Sequence, residues 1–428
     1  MPELHSAKMR DILSVPAQFS IAPSGSLSVA ALLHLDLHTV LEIDAHFIFE
    51  FSKTSPMHQV PVDFASRSIP PFQTAALLHD RASSALQDGN KSVIHPLFPS
   101  DPLPLWVLSY WVSMSYALEN QRDWHTSHNW VLDRLDVVPA GGAELGIIDR
   151  VLDVLGSLPW DAPLKGFGAE TNLRTTGLRP LLASCPIDGR VLDTLIASVV
   201  HRMQASDDGD LRLVSIEPLT FADILRLGEE RWKNYKTDKA FSHLRALGSA
   251  LHEGTLQRVL FPINIDNVHW AAIEVNTINR SISYADSLNW SPPTEDIDAI
   301  RRWLGYHGFS GFDEANTLRH GEQLDSFSCG IAAINTIKHA VFHDLLFTND
   351  RAFLLRMEEF LNLAYDHLEV RISYSKRHKF VTNRTGCSPQ ITIVVTVIAY
   401  IQTAHPTSRY KTLSHPLQLR LYVLHRIN

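Results

Sequence analysis

The stretch Val259-Leu-Phe-Pro-Ile-Asn-Ile-Asp-Asn-Val-His-Trp-Ala-Ala-Ile-Glu-Val-Asn-Thr-Ile-Asn-Arg-Ser-Ile-Ser-Tyr-Ala-Asp286 sets the architecture of the second half of the chain. Three short runs rich in branched and apolar residues are separated by Asp266-Asn267 and Asn276-Thr-Ile-Asn279, both turn signals. Strands are expected over 259–265, 268–275 and 280–286. They form an antiparallel meander with His269 opening one strand and Asp286 closing the next. Antiparallel neighbours joined by a tight turn bring those two ends to one edge of the sheet.

Downstream, Cys329-Gly-Ile-Ala-Ala-Ile-Asn-Thr-Ile-Lys-His-Ala-Val-Phe342 reads as an apolar helix, with Ser326 and Ser328 as candidate caps. Upstream, Cys185-Pro-Ile-Asp-Gly189 is a break before a helix from Val191 to about Gln204. Its apolar positions Val191, Leu192, Leu195, Ile196, Val199 and Met203 follow helical spacing. Residues 1–165 read as mostly helical with proline-rich joints and no internal repeat. Leu27 to Phe51 has only loose periodicity, and Pro96 to Pro104 is a breaker. Leu105 to Leu135 is expected to be a helical pair whose Trp106, Trp111, Trp124 and Trp130 serve core packing. A further break lies near Pro159 to Gly168.

The chemistry concentrates on four residues. Cys329 opens a helix, where unpaired N–H groups and the dipole favour an anion. A histidine beside it, His269, would pair with the thiolate and later protonate a leaving amine. A carboxylate on the far ring nitrogen, Asp286, would fix the tautomer and orientation. Gln323, six residues before the cysteine, can aim its amide at a developing oxyanion together with the Cys329 N–H. Gly330 leaves room for substrate beside the nucleophile. Singly, each signal is weak. A strand His-Trp pair is usually structural, a strand-ending aspartate is usually a turn residue, and a helix cysteine is usually a small core hydrophobe. Order and local context together carry the reading.

The remaining bulk features narrow the field. With 428 residues and 45% hydrophobic content the chain can bury two or three domains without staples. Cysteines stand only at 185, 329 and 387, an odd and widely spaced set that is no disulfide framework. There is no CxxC or HExxH, so a metalloenzyme has little support, and no cofactor is called for. The N-terminus lacks the apolar core of a signal peptide, which favours nucleus or cytoplasm. The longest apolar run, Ile391 to Ile401, is too short to span a bilayer. Nine of the 38 basic residues follow residue 370, where no Asp or Glu occurs, leaving 29 basic against 46 acidic before it. Nucleic-acid binding is therefore expected nowhere except through this basic tail.

The runs Val268-His-Trp-Ala271, Tyr284-Ala-Asp-Ser-Leu288 and Gln323-Leu-Asp-Ser-Phe-Ser-Cys-Gly330 resemble the ubiquitin-like-protein protease family, the Ulp/SENP-type SUMO-deconjugating cysteine peptidases. The 17-residue step from His269 to Asp286 and the Phe261-Pro-Ile-Asn264 strand are also similar to that family. The resemblance implies an α+β, papain-like fold with a central, largely antiparallel sheet and the nucleophile at a helix N-terminus. It implies thiol isopeptidase activity through His269, Asp286, Gln323 and Cys329, with Trp270 and Gly330 binding a ubiquitin-like modifier. It places the protease domain at 166–365, after a helical region 1–165 and before a basic tail 366–428.

Two positions depart from the family. Ser328 stands where an aspartate often precedes the cysteine, and Cys185-Pro-Ile-Asp188 lacks the tryptophan that opens the domain and lines the channel. The second departure raises an alternative, a weak or inactive module that binds ubiquitin-like proteins or serves as a scaffold. Acyl transfer to a lysine or hydroxyl is a third reading. The long helical region ahead of the protease segment resembles proteins carried by fungal mobile elements.

Overall fold

A computed structural model describes residues 10–382 except 20–23, 41–48, 58, 62, 136, 137, 139–141, 168–171 and 315–317. The chain divides into residues 1–377 and 378–428, and the architecture below is that of the first unit. Most of the basic tail, residues 383–428, lies outside the described residues, as does the apolar run 391–401. Among the described residues no helix is long and apolar enough to cross a membrane.

The meander forms as its turn residues dictate. Strands β5 (Arg258–Ile265), β6 (His269–Asn276) and β7 (Ser281–Ala285) pair antiparallel in that order. Asp266 and Asn267 both take left-handed backbone, φ 51 and 59, which matches the twist of a tight hairpin. The turn closes through the Val268 N–H donating to the Ile265 carbonyl at 3.0 Å. Two short parallel strands, β4 (Val214–Ile216) and β8 (Asp313–Glu314), add one edge each and give the order β4-β5-β6-β7-β8. The fold is α+β: the centre of the sheet is antiparallel and only its rims are parallel.

The sheet is covered on both faces, which explains its nearly continuous apolar runs. Leu260, Ala272 and Ala285 pack with Ile331, Ile334 and Phe360 on one side. Their strand neighbours Val259, Phe261, Ala271, Ile273 and Ile282 pack with Phe221, Leu244 and Trp303 on the other. The alternation follows the two-residue period of a strand. On the first face lie helices α5 (Gly189–Gln204), α9 (Cys329–Phe342) and α10 (Ala352–Thr382). The second carries α6 (Leu219–Leu225), α7 (Ser242–Glu253) and α8 (Thr294–Tyr306).

The N-terminal region contains helices α1 (Val29–Leu33), α2 (Phe72–Gln87), α3 (Trp106–Leu132) and α4 (Ala143–Leu155). It also holds a three-stranded antiparallel sheet, β1 (Glu50–Ser52), β2 (Ser92–His95) and β3 (Phe98–Pro104), that the sequence did not suggest. The proline-rich stretch expected to be a breaker is itself β3. Its prolines are tolerated because β3 is an edge strand, where a missing N–H costs little.

The expected helical pair is one 27-residue helix, α3, because no Gly or Pro interrupts it. Its first half joins a core with Phe64, Val93 and Leu103. Its second half places Trp124 and Val131 in the same core as Leu181, Ile187 and Ile331. That shared core braces the segment 175–188 against the sheet, and the candidate site lies at the end of this segment.

Candidate active site

His269 opens β6, and Asp286 follows the last residue of β7. The hairpin register brings them together: His269 Nε2 lies 2.7 Å from Asp286 Oδ1, and both side chains are buried. The carboxylate is held from three directions. Oδ1 also accepts the Leu288 N–H at 2.7 Å, and Oδ2 accepts the Tyr284 hydroxyl at 2.7 Å. Burial alone would push Asp286 upward. The bonds from His269, Tyr284 and Leu288 outweigh it and hold the carboxyl below its ordinary value. Tyr284 shifts the other way, upward, through burial first and the adjacent carboxylate second.

With Nε2 committed to Asp286, the other ring nitrogen is left for Cys329, the second group that acts on the histidine's charge. Desolvation favours neutral imidazole. The hydrogen bonds to Asp286 and Cys329 and the charges of both oppose it and raise His269 to about 9. An imidazolium at neutral pH, paired with the Asp286 carboxylate, is the state this arrangement favours.

Cys329 is the first residue of α9 and 3% exposed. The preceding turn is built by Asp325, not by serine capping as expected from Ser326 and Ser328. Asp325 Oδ1 accepts the N–H groups of Phe327 and Ser328 at 2.8 and 2.7 Å, and Oδ2 accepts the Ser328 hydroxyl at 2.7 Å. Ser328 occupies the cap position but makes no capping bond with its side chain. The first N–H groups of α9 thus face the nucleophile without a side-chain oxygen from Ser328 among them.

Gln323 is buried in the loop ahead of α9. Its Oε1 accepts the Ser287 hydroxyl at 2.7 Å, which fixes the amide orientation. Nε2 donates one hydrogen to the Asp325 carbonyl at 2.8 Å, and its second hydrogen remains for a ligand. The Gln323 N–H also donates to the Ser287 carbonyl at 2.9 Å, tying this loop to the residue after Asp286. Trp270, on β6, is half-buried and donates from Nε1 to the Ile187 carbonyl at 3.2 Å. Gly330 is buried under Ile187: a Cβ there would stand 2.5 Å from Ile187 Cγ1 and 3.3 Å from Trp270 Cδ1.

A cleft of about 420 Å³ leads to the nucleophile. Cys329 lies at its floor, with Pro186, Ile187, Val268 and Trp270 among its walls. Ile187 and Pro186 stand where a channel tryptophan was expected, so one wall of the cleft is aliphatic. Among the described residues no cluster of His, Cys, Asp or Glu is arranged to hold a metal ion.

Sequence reasoning missed the side chains that hold the site in place. Tyr284 and Asp325 were visible inside the quoted motifs but suggested no role. Trp290 packs on His269 with ring centroids 4.7 Å apart. Arg356, on α10, is fully buried and has no carboxylate partner. Nη1 donates to the carbonyls of Pro180 and Ala183, and Nη2 to those of Cys185 and Phe327, at 2.7–3.0 Å. Burial pulls its pKa below the ordinary value, opposed by the neighbouring Cys185, Asp325 and Cys329 side chains. The guanidinium therefore joins the cleft wall to the loop that presents the nucleophile. Nothing in the sequence could have announced it, because its partners on the wall lie more than 170 residues away.

Residues 256–363 match the sequence model of the Ulp1 protease family, C-terminal catalytic domain. No curated protein matches. Among solved structures, the chain is similar to the C-terminal Ulp1 protease domain in complex with Smt3, the yeast ortholog of SUMO. Identity there is 16%, covering 54% of this chain and 97% of that one, with a TM-score of 0.38. It is also similar to the Xanthomonas campestris effector XopD bound to ubiquitin, with 18% identity, coverage of 42% and 91%, and TM-score 0.29. A third is the Chaetomium thermophilum Ulp1-like SUMO protease catalytic domain, at 13% identity, coverage of 52% and 89%, and TM-score 0.33.

Proposed function

We propose that this chain, a cysteine peptidase whose residues 256–363 belong to the Ulp1 protease family, is a thiol isopeptidase that removes a SUMO-type modifier from lysine. The observation that carries the reading is the convergence of one buried histidine on both Asp286 and Cys329. Residues 166–365 would form the catalytic domain, working in the nucleus or cytoplasm, and residues 1–165 an accessory region braced against it.

In this scheme the Cys329 thiolate attacks the carbonyl carbon at the modifier's C-terminus. The oxygen gains negative charge and is met by the free Gln323 amide hydrogen and the Cys329 N–H. His269 gives its proton to the departing lysine amine, and the C–N bond breaks to leave a thioester on Cys329. Water then attacks the thioester. His269 takes its proton, the C–S bond breaks, and the modifier leaves as a free acid. Asp286 holds the ring in one tautomer and stabilises its charge throughout. No cofactor enters any step.

The test is a panel of ubiquitin-like modifiers carrying a C-terminal electrophile, offered to the parent protein and to Cys329→Ala. The expected result is stoichiometric labelling of the parent by a SUMO-type probe and none of the variant. Labelling that persists in Cys329→Ala, or none of the parent with any modifier, overturns the reading. The second outcome would favour the binding-module alternative, for which the aliphatic wall at Ile187 is the motivating observation.

A further inference from the structure

The cleft that ends on Cys329 is bordered by Pro186, Ile187, Val268 and Trp270 but not by His269 or Gln323. In the isopeptidase reading, a substrate reacting at the sulfur has one half in the cleft, and its other half passes His269, which must protonate the leaving amine. Two large apolar side chains stand there in water. Trp290 is 45% exposed although its ring packs on the His269 imidazole. Leu324, next to Gln323, is 85% exposed.

Both are presented by backbone that is pinned. The Leu324 N–H donates to Asn349 Oδ1 at 2.7 Å, and Asn349 Nδ2 donates to the Glu322 carbonyl at 2.8 Å. Trp290 follows Asn289, which holds left-handed backbone and donates its N–H to the Asp286 carbonyl at 2.9 Å. Apolar side chains held into solvent on pinned backbone, one packed on His269 and one next to Gln323, are a feature of contact surfaces.

We propose that Trp290 and Leu324 form the docking surface for the leaving half of the substrate, the protein whose lysine is released, while the cleft takes the modifier's C-terminal segment. The proposal rests on the isopeptidase reading. Proton transfer sets its direction: the departing amine must lie against the imidazole, so its chain continues past the ring face that Trp290 covers. The occupant is a lysine stem with an apolar side chain near it. The methylenes of that stem suit an indole face.

The experiment compares two substrates sharing one SUMO-type modifier. One is an isopeptide conjugate to a protein lysine, and the other an unsubstituted carboxamide, whose leaving ammonia carries no stem to reach Trp290. The ratio of kcat/KM on the conjugate to that on the amide is measured for the parent, Trp290→Ala, Trp290→Phe and Leu324→Ser. The ratio should fall about 10- to 30-fold in Trp290→Ala, mostly through KM. Leu324→Ser should lower it in the same direction, and Trp290→Phe should keep most of it.

An equal loss of kcat on both substrates would make Trp290 only a support for His269 and overturn the proposal, as would an unchanged ratio. In the Cys329→Ala background, Trp290→Ala should weaken binding of the conjugate but not of the free modifier. Equal weakening of both would assign the surface to the modifier instead. A parent protein that cleaves neither substrate defeats the isopeptidase reading itself, and the docking proposal with it.

Discussion

Replacing Asp286 by Asn tests the centre of the site most directly. The substitution keeps the shape of the side chain, and its carbonyl oxygen can still accept from Tyr284 or Leu288. What it removes is the charge, and it places an NH2 donor opposite His269 Nε2. An imidazole that accepts at Nε2 carries its proton on the nitrogen facing Cys329 and cannot take the thiol proton. Raising His269 from 6.5 to about 9 amounts to roughly 3 kcal/mol of preference for the protonated ring. Without the carboxylate the burial cost is unopposed on that side, and the ring titrates below its present value.

Two outcomes follow for Asp286→Asn. The kcat/KM on a modifier amide should fall about 10²- to 10⁴-fold, and the alkaline limb of its pH profile should move down from near 9. Stability carries the same signature. A histidine raised in the fold stabilises it fully below its unfolded value near 6.5 and loses that contribution as pH rises through about 9. Chemical unfolding should therefore show the largest deficit of the variant between about pH 4 and 6.5, shrinking as pH rises through about 9 to what Tyr284 and Leu288 alone contribute. A variant with parental activity and an alkaline limb still near 9 would refute the assignment of Asp286 to His269.

Gln323→Ala should lower kcat by about 10²- to 10³-fold with little change in KM. Gln323→Glu, which keeps the acceptor and loses the donor, should be equally slow, and parental turnover by Gln323→Glu would remove the oxyanion role. Gly330→Ala forces a Cβ to within 2.5 Å of Ile187. The expected loss is about 1–3 kcal/mol of stability from overpacking, seen as a lower melting temperature, with reduced activity as Ile187 shifts over the nucleophile. An unchanged melting temperature and turnover would mean that the contact is slack.

Much of the sheet was legible because its signals are local. The turn signals Asp266-Asn267 and Asn276 to Asn279, with the branched and apolar runs between them, placed three strands within a residue or two of their observed ends. The helix after Asp188 was equally plain, and Asp188 caps it by accepting the Val191 N–H at 3.0 Å. The sheet formed by β1, β2 and β3 was not legible. Its prolines read as a breaker, although β3 is made a strand by pairing with its near neighbour β2, and β1 joins that hairpin from some 40 residues earlier. Within the site, His269, Asp286, Gln323 and Cys329 were marked by short motifs. Asp325 and Arg356 escaped because a carboxylate near a turn and an arginine on a helix are ordinary until their partners are known.

The Arg356 guanidinium grips four carbonyl oxygens and lies over the Phe327 ring, 5.1 Å from its centroid. Every residue type offers the same oxygen, so the grip on the cleft wall is blind to what residues 180, 183 and 185 are. The lip of the active site can change its side chains, and with them what it admits, while staying in register with the nucleophile. An aliphatic lip in place of an aromatic one is the kind of substitution that such an anchor lets a lineage explore without loosening the catalytic geometry.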